Sequence, residues 1–170
     1  MVLTIYTTML KLFKDNMEAK KMADVFDVAK YILGKQGSMT TMKLQKLVYY
    51  CQAWSLVWDE KPLFNQKIQA WASGPVVREL YDIHKGQFTI SDIPIGDINN
   101  LEPDEKDTIN CVLTAYGNKP AQWLSDLTHM EYPWNKPRVG YEPGDNCENE
   151  ITQASIAEYY SSILPDSEPV

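Results

Sequence analysis

The chain has 170 residues, 44% of them hydrophobic, with five Trp, ten Tyr and four Phe, which supplies one domain with one core and leaves an aromatic surplus for a contact surface. Sixteen Lys and Arg against 23 Asp and Glu give a net charge of −7, which opposes nonspecific binding to nucleic-acid phosphate. Cys51, Cys111 and Cys147 are an odd number at wide spacing without a CxxC pair, the pattern of a reducing cytoplasm rather than a disulfide framework, and no run reaches the roughly 18 apolar residues of a membrane span.

Tyr6, Met9, Leu10, Phe13 and Met17 recur at helical spacing ahead of Lys20-Lys21, so residues 1–21 read as an N-terminal extension with a helical pattern. Two readings of it stay open: a docking helix, or a dispensable stretch upstream of a start at Met22. Its lysines follow the apolar run and no small-residue cleavage site comes after them, so a secretory signal is rejected.

Asp24 is a good N-cap for a helix carrying Val25, Val28, Ala29, Ile32 and Leu33, with Gly34 and Gly37 as its stop. Thr40 or Thr41 caps the next. There Leu44, Leu47, Val48, Cys51, Trp54 and Trp58, broadened by Tyr49 and Tyr50, make a face wide enough for the centre of the core. Asp59 to Pro62 form a turn, and Gln66 to Ala72 a strand in which Lys67, Gln69 and Trp71 alternate with Ile68, Ala70 and Ala72. Gly74 allows an unusual backbone turn. Pro75, whose fixed φ suits a first helical position, is expected to start a helix with Val77, Leu80, Tyr81 and His84 on its inner side and Arg78 and Glu79 facing out.

Residues Gln87 to Asn100, broken by Pro94 and Gly96, suit a covering loop or a second short edge strand. Ile109, Val112, Leu113 and Tyr116 mark a helix opened by Asp104, Glu105 and Asp107 and closed by Gly117. Pro120 opens another through Trp123, Leu124, Leu127 and Thr128, after which Tyr132-Pro133-Trp134 turns the chain away. A polar loop spans Lys136 to Glu150, and Thr152 caps a last helix bearing Ile156, Tyr159, Tyr160 and Ile163, ended by Pro165 ahead of a loose tail. The sum is a mainly α domain over residues 22–164, with five or six helices and a small two- or three-stranded antiparallel β-element.

Catalytic chemistry finds little purchase. His129 lies two residues from Glu131 without a nucleophile or metal partner in sequence reach, which suits a hydrogen-bonded structural or contact residue, and His84 suits partly buried packing. Glu102, Asp104, Glu105 and Asp107 lack calcium-loop spacing and read as a solvated helix start. Cys51 and Cys111 both fall on apolar helix faces as buried structural thiols. The joint from Trp71 to Tyr81 carries neither a nucleophile nor a phosphate cradle. Its Trp71 and Arg78 are candidate contact residues, as are His129 and Trp134, with Gly74 and Pro75 shaping the backbone. No cofactor or metal site is expected.

Several co-ordered motifs resemble one family. Asp27-Val28-Ala29-Lys30-Tyr31-Ile32-Leu33, Met42-Lys43-Leu44-Gln45-Lys46-Leu47-Val48-Tyr49-Tyr50 with Gln52-Ala53-Trp54, Pro62-Leu63-Phe64 and Gln69-Ala70-Trp71-Ala72-Ser73-Gly74-Pro75-Val76-Val77 look like the SocA-like, or Panacea, antitoxin domain, often described as phage-associated GepA proteins. Leu124-Ser125-Asp126-Leu127-Thr128-His129, Pro133-Trp134 and Ile151 to Tyr160 are similar to its closing pattern. The resemblance implies a mostly helical, non-enzymatic cytoplasmic antitoxin from a bacterial or prophage operon. Such a protein neutralises a neighbouring toxin by direct contact or, in an adaptor variant, delivers it to a AAA+ protease. It offers no catalytic residue to carry over, while the acidic charge balance and the lack of a membrane-length apolar run give the expectation of no nucleic-acid or membrane partner.

Overall fold

The computed structural model describes residues 1–17 and 21–164. Helix α1 (Val2–Met17) forms where the apolar spacing predicts one, but Leu3, Ile5, Tyr6, Met9, Leu10, Leu12 and Phe13 each remain more than half exposed. The core begins at Ala23. Helix α2 (Val25–Gln36) starts with a complete capping box: Asp24 accepts from the Phe26 and Asp27 amides while Asp27 accepts from the Asp24 amide at 2.9 Å. Gly34 lies inside this helix and Gly37 alone caps it.

Helix α3 (Thr41–Trp58), capped by Thr40, is the centre of the molecule. Leu44, Leu47, Val48, Tyr49, Tyr50, Cys51 and Ala53 are buried around its whole circumference. A helix apolar on every side must be enclosed. It is surrounded by α2, the hairpin described below, α5 (Pro103–Tyr116), α6 (Ala121–His129) and α8 (Gln153–Ser162). The ring cluster of Tyr49, Tyr50, Trp54, Tyr116 and Tyr160 seals α3 against α5 and α8, with Tyr50 stacked on Tyr116 at 4.3 Å. Inside it the Tyr50 hydroxyl donates to Glu131 at 2.7 Å, and burial holds that carboxyl above its usual range.

Two small antiparallel sheets complete the fold. Strand β1 (Met39–Thr40) pairs with β4 (Thr89–Ile90). The other sheet has the order β3-β2-β5, with β2 (Ile68–Trp71) between β3 (Gly74–Val77) and β5 (Glu150–Ile151). The residues between Gln87 and Asn100 thus hold both the strand and the covering segment, which Asp27 ties to α2 by accepting from the Asp97 amide.

The architecture is mainly α with a small β-element. Eight helices form among the described residues because α1, α4 (Arg78–His84) and the short α7 (Tyr132–Asn135) add to the long ones. Three expectations are corrected. Pro75 lies in strand β3, and the helix starts at Arg78. Cys111 is exposed on α5, whereas Cys51 and Cys147 are buried. The segment from Lys136 to Glu150 is organised rather than simply polar, because the buried Arg138 donates to the carbonyls of Glu142, Pro143 and Asp145. The expected stop at Pro165 and the tail after it lie outside the described residues.

Candidate functional site

The hairpin β2–β3 turns through Ala72 and Ser73, and its register pairs Trp71 with Gly74 and Ala70 with Pro75. Ala70 sends both its backbone groups away from β3: its amide donates to Asn149 O at 2.9 Å and its carbonyl accepts from Arg138 at 2.8 Å. Pro75 therefore faces a position that exchanges no ladder bonds, on an edge strand, where a missing N–H costs nothing.

The outer edge of β3 is completed by side chains rather than by another strand. Gln45 of α3 accepts from the Val77 amide at 2.9 Å and donates to the Val77 carbonyl at 3.3 Å. Lys46, 1% exposed, donates from Nζ to Pro75 O at 3.0 Å. The second amide hydrogen of Gln45 reaches His84 Nε2 at 2.9 Å, so that ring nitrogen is the acceptor. His84 is buried, and burial lowers its pKa. Gln52, two helical turns further along α3, does similar work for the turn after α3. Its oxygen accepts from the Leu63 and Phe64 amides at 2.7 and 3.2 Å, and its nitrogen donates to Phe64 O at 2.8 Å.

The remaining hairpin carbonyls are held from the other side. Trp134 Nε1 donates to Trp71 O at 2.9 Å and Ser125 Oγ donates to Ser73 O at 2.7 Å. Each bond fixes backbone, so the hairpin is held rigid while the Trp71 side chain stays partly exposed. The indole meets Tyr81 edge-on at 4.8 Å and donates to Gln69 at 2.7 Å. The Arg78 guanidinium lies 5.7 Å from its ring while pairing with Asp82 and Glu148. Trp71 thus stands between two clefts. One of about 660 Å³ runs along Ser73, Tyr141, Cys147 and Glu148, and one of about 140 Å³ runs along Met42, Gln45, Lys46 and Tyr81.

The four contact candidates fall into two groups. Trp71 and Arg78 share one exposed surface. Trp134 is 7% exposed and supports the hairpin from behind, with His129 stacked on it at 4.1 Å and Arg138 over its ring at 4.9 Å. His129 Nε2 is buried and has no hydrogen-bond partner among the described residues, and burial, followed by the charge of Lys46, lowers the imidazole pKa. Glu131 turns to Tyr50 instead, so His129 and Glu131 bond to different surroundings. The acidic start of α5 is a second capping box, in which Glu105 accepts from the Glu102 amide at 2.8 Å. No cluster of metal-ligating side chains occurs among the described residues, and no described helix is long and apolar enough to cross a membrane.

Gln45, Lys46, Gln52, Ser125 and Arg138 carry much of this construction, and periodicity did not single them out. The signal was present for three of them. A helix with no polar face has nowhere to expose Gln45, Lys46 and Gln52, so they must be buried and bonded.

An aromatic hairpin held by buried polar side chains and packed on a buried central helix defines a helical scaffold. The family model for the antitoxin SocA-like, Panacea domain matches residues 44–135, more than half of the chain, and the protein belongs to that family. The matched span holds Lys46, the whole hairpin, His129 and Trp134. No curated protein and no solved structure matches the chain.

Proposed function

We propose that this protein is the antitoxin of a bacterial or prophage toxin–antitoxin pair, acting in the cytoplasm by binding a cognate protein toxin directly. Membership of the antitoxin family carries the reading. The hairpin supports it with a contact surface of Trp71, Tyr81 and Arg78 on a backbone immobilised by side-chain hydrogen bonds. Pre-ordering of this kind lowers the cost of association, and Trp, Tyr and Arg are the residue types enriched among those that dominate binding energy. The acidic balance of the chain suits a basic toxin surface.

The test is co-expression with the product of the adjacent gene. Trp71→Ala should restore growth arrest and weaken the purified complex about thirtyfold, corresponding to the ~2 kcal/mol lost with a typical anchor. Circular dichroism should show the fold retained. Wild-type affinity in a folded Trp71→Ala variant would refute the hairpin as the contact. The same purified pair separates direct neutralisation from delivery to a AAA+ protease, since a toxin silenced without any protease needs no delivery.

A further inference from the structure

The smaller cleft beside Trp71 has a chemistry of its own. Its volume of about 140 Å³ is well below the roughly 300 Å³ at which small-molecule pockets begin, and is the size of one side chain. Trp71 and Tyr81 supply aromatic walls, and Lys46, Gln45 and His84 supply polar groups. In a chain with 23 Asp and Glu, none of the residues lining the cleft is acidic. Lys46 has three donors, yet its one hydrogen bond among the described residues goes to Pro75 O. Burial alone depresses its pKa to about 7, with no carboxylate offsetting it. Gln45 cannot help, because its amide is committed to Val77 and His84. Gly74 gives the lysine terminus its space: a Cβ there would stand 2.5 Å from Lys46 Cε.

A buried cation with one acceptor is costly to keep, and a well-packed apolar side chain would serve the core better. A basic group entering the cleft would meet an uncompensated charge, and a neutral one would leave donors unpaired. We propose that the cleft receives an acidic side chain of the partner protein, its carboxylate accepting from Lys46 and its stem lying along the touching rings of Trp71 and Tyr81. This rests on the reading of the chain as a toxin-binding protein and names the chemistry of the contact: a Glu or Asp on the toxin, inserted beside the hairpin.

The test uses the full chain labelled with ¹³C at lysine Cε and a blocked amino acid as probe. N-acetyl-glutamate N-methylamide should move the Lys46 resonance saturably at millimolar concentration and raise its titration midpoint. The glutamine analogue should bind at least tenfold more weakly, and Lys46→Met should no longer bind the glutamate probe when binding is followed by Trp fluorescence. Equal binding of the two probes, an unmoved Lys46 resonance, or wild-type binding of the glutamate probe by Lys46→Met in the fluorescence titration would overturn the proposal. If Lys46→Met does not fold, the glutamate-against-glutamine comparison on the wild-type chain decides alone. No toxin enters this titration, so its failure leaves the neutralisation assay intact, and a failed neutralisation assay leaves the titration intact.

Discussion

Replacing Gly74 by alanine tests the construction of the hairpin at its tightest point. Gly74 has φ +117°, a conformation that costs an L-residue about 1–3 kcal/mol. The added methyl would also lie 2.5 Å from Lys46 Cε and 3.0 Å from Thr128 Oγ1. Lys46 cannot swing aside freely, because it is 1% exposed and bonded to Pro75, so crowding adds about 1–3 kcal/mol more. The sum is about 2–6 kcal/mol, a fall in Tm of about 5–20 °C for a chain of this length. Urea denaturation followed by circular dichroism measures it. A double-mutant cycle then isolates the steric part: in a Lys46→Ala background the crowding disappears, so the two substitutions should couple by at least about 1 kcal/mol. A loss below about 0.5 kcal/mol for Gly74→Ala, or strict additivity in the cycle, would refute the reasoning.

Two further outcomes follow from the buried polar groups. Burial lowers the Lys46 pKa to about 7 in the folded chain, against the 10.5 of a solvated lysine, so the unfolded chain binds more protons between those values and stability rises with pH through that window. Between pH 7 and 8.5 the gain should be on the order of 1–2 kcal/mol, and Lys46→Met should lose this slope; parallel profiles for the two proteins would sink the assignment. Gln52→Leu strands two buried amides and a carbonyl around Leu63 and Phe64, at about 1–3 kcal/mol each, and should cost more than about 3 kcal/mol in chemical denaturation. A cost below about 1 kcal/mol would mean that those groups find other partners.

The long helices were legible because their signals are local. Asp24 and Thr40 cap the chain where the apolar stripes begin, and Thr152 does so again before α8, each by accepting from an amide two or three residues on. The hairpin was half legible. Alternation from Ile68 to Trp71 marks the strand, and Gly74 marks an unusual turn, but Pro75 carries the same local preference for a helix start as for an edge strand. Cys111 was misread for a related reason: it borders the apolar stripe of α5, and only the placement of α2 and α3 against that helix decides which side is covered. Of the contact candidates, Trp71 and Arg78 could be paired from the strand and helix phase. The inward turn of Trp134 to the Trp71 carbonyl joins residues 63 apart, and no periodicity records it.

By itself, then, the sequence determined where the long helices α2, α3, α5 and α8 lie, that α3 would be central, and that the chain carries the motifs of the antitoxin family. These depend on caps, periodicity and ordered motifs, which act over a few residues at a time. Only the tertiary structure decided that β3 is a strand, because its outer edge is satisfied by Gln45 and Lys46 from a helix about 30 residues earlier. It also decided that Lys46 is an enclosed cation beside an aromatic cleft. Burial depends on what packs against a side chain from elsewhere in the chain, and that is a property of the assembled fold.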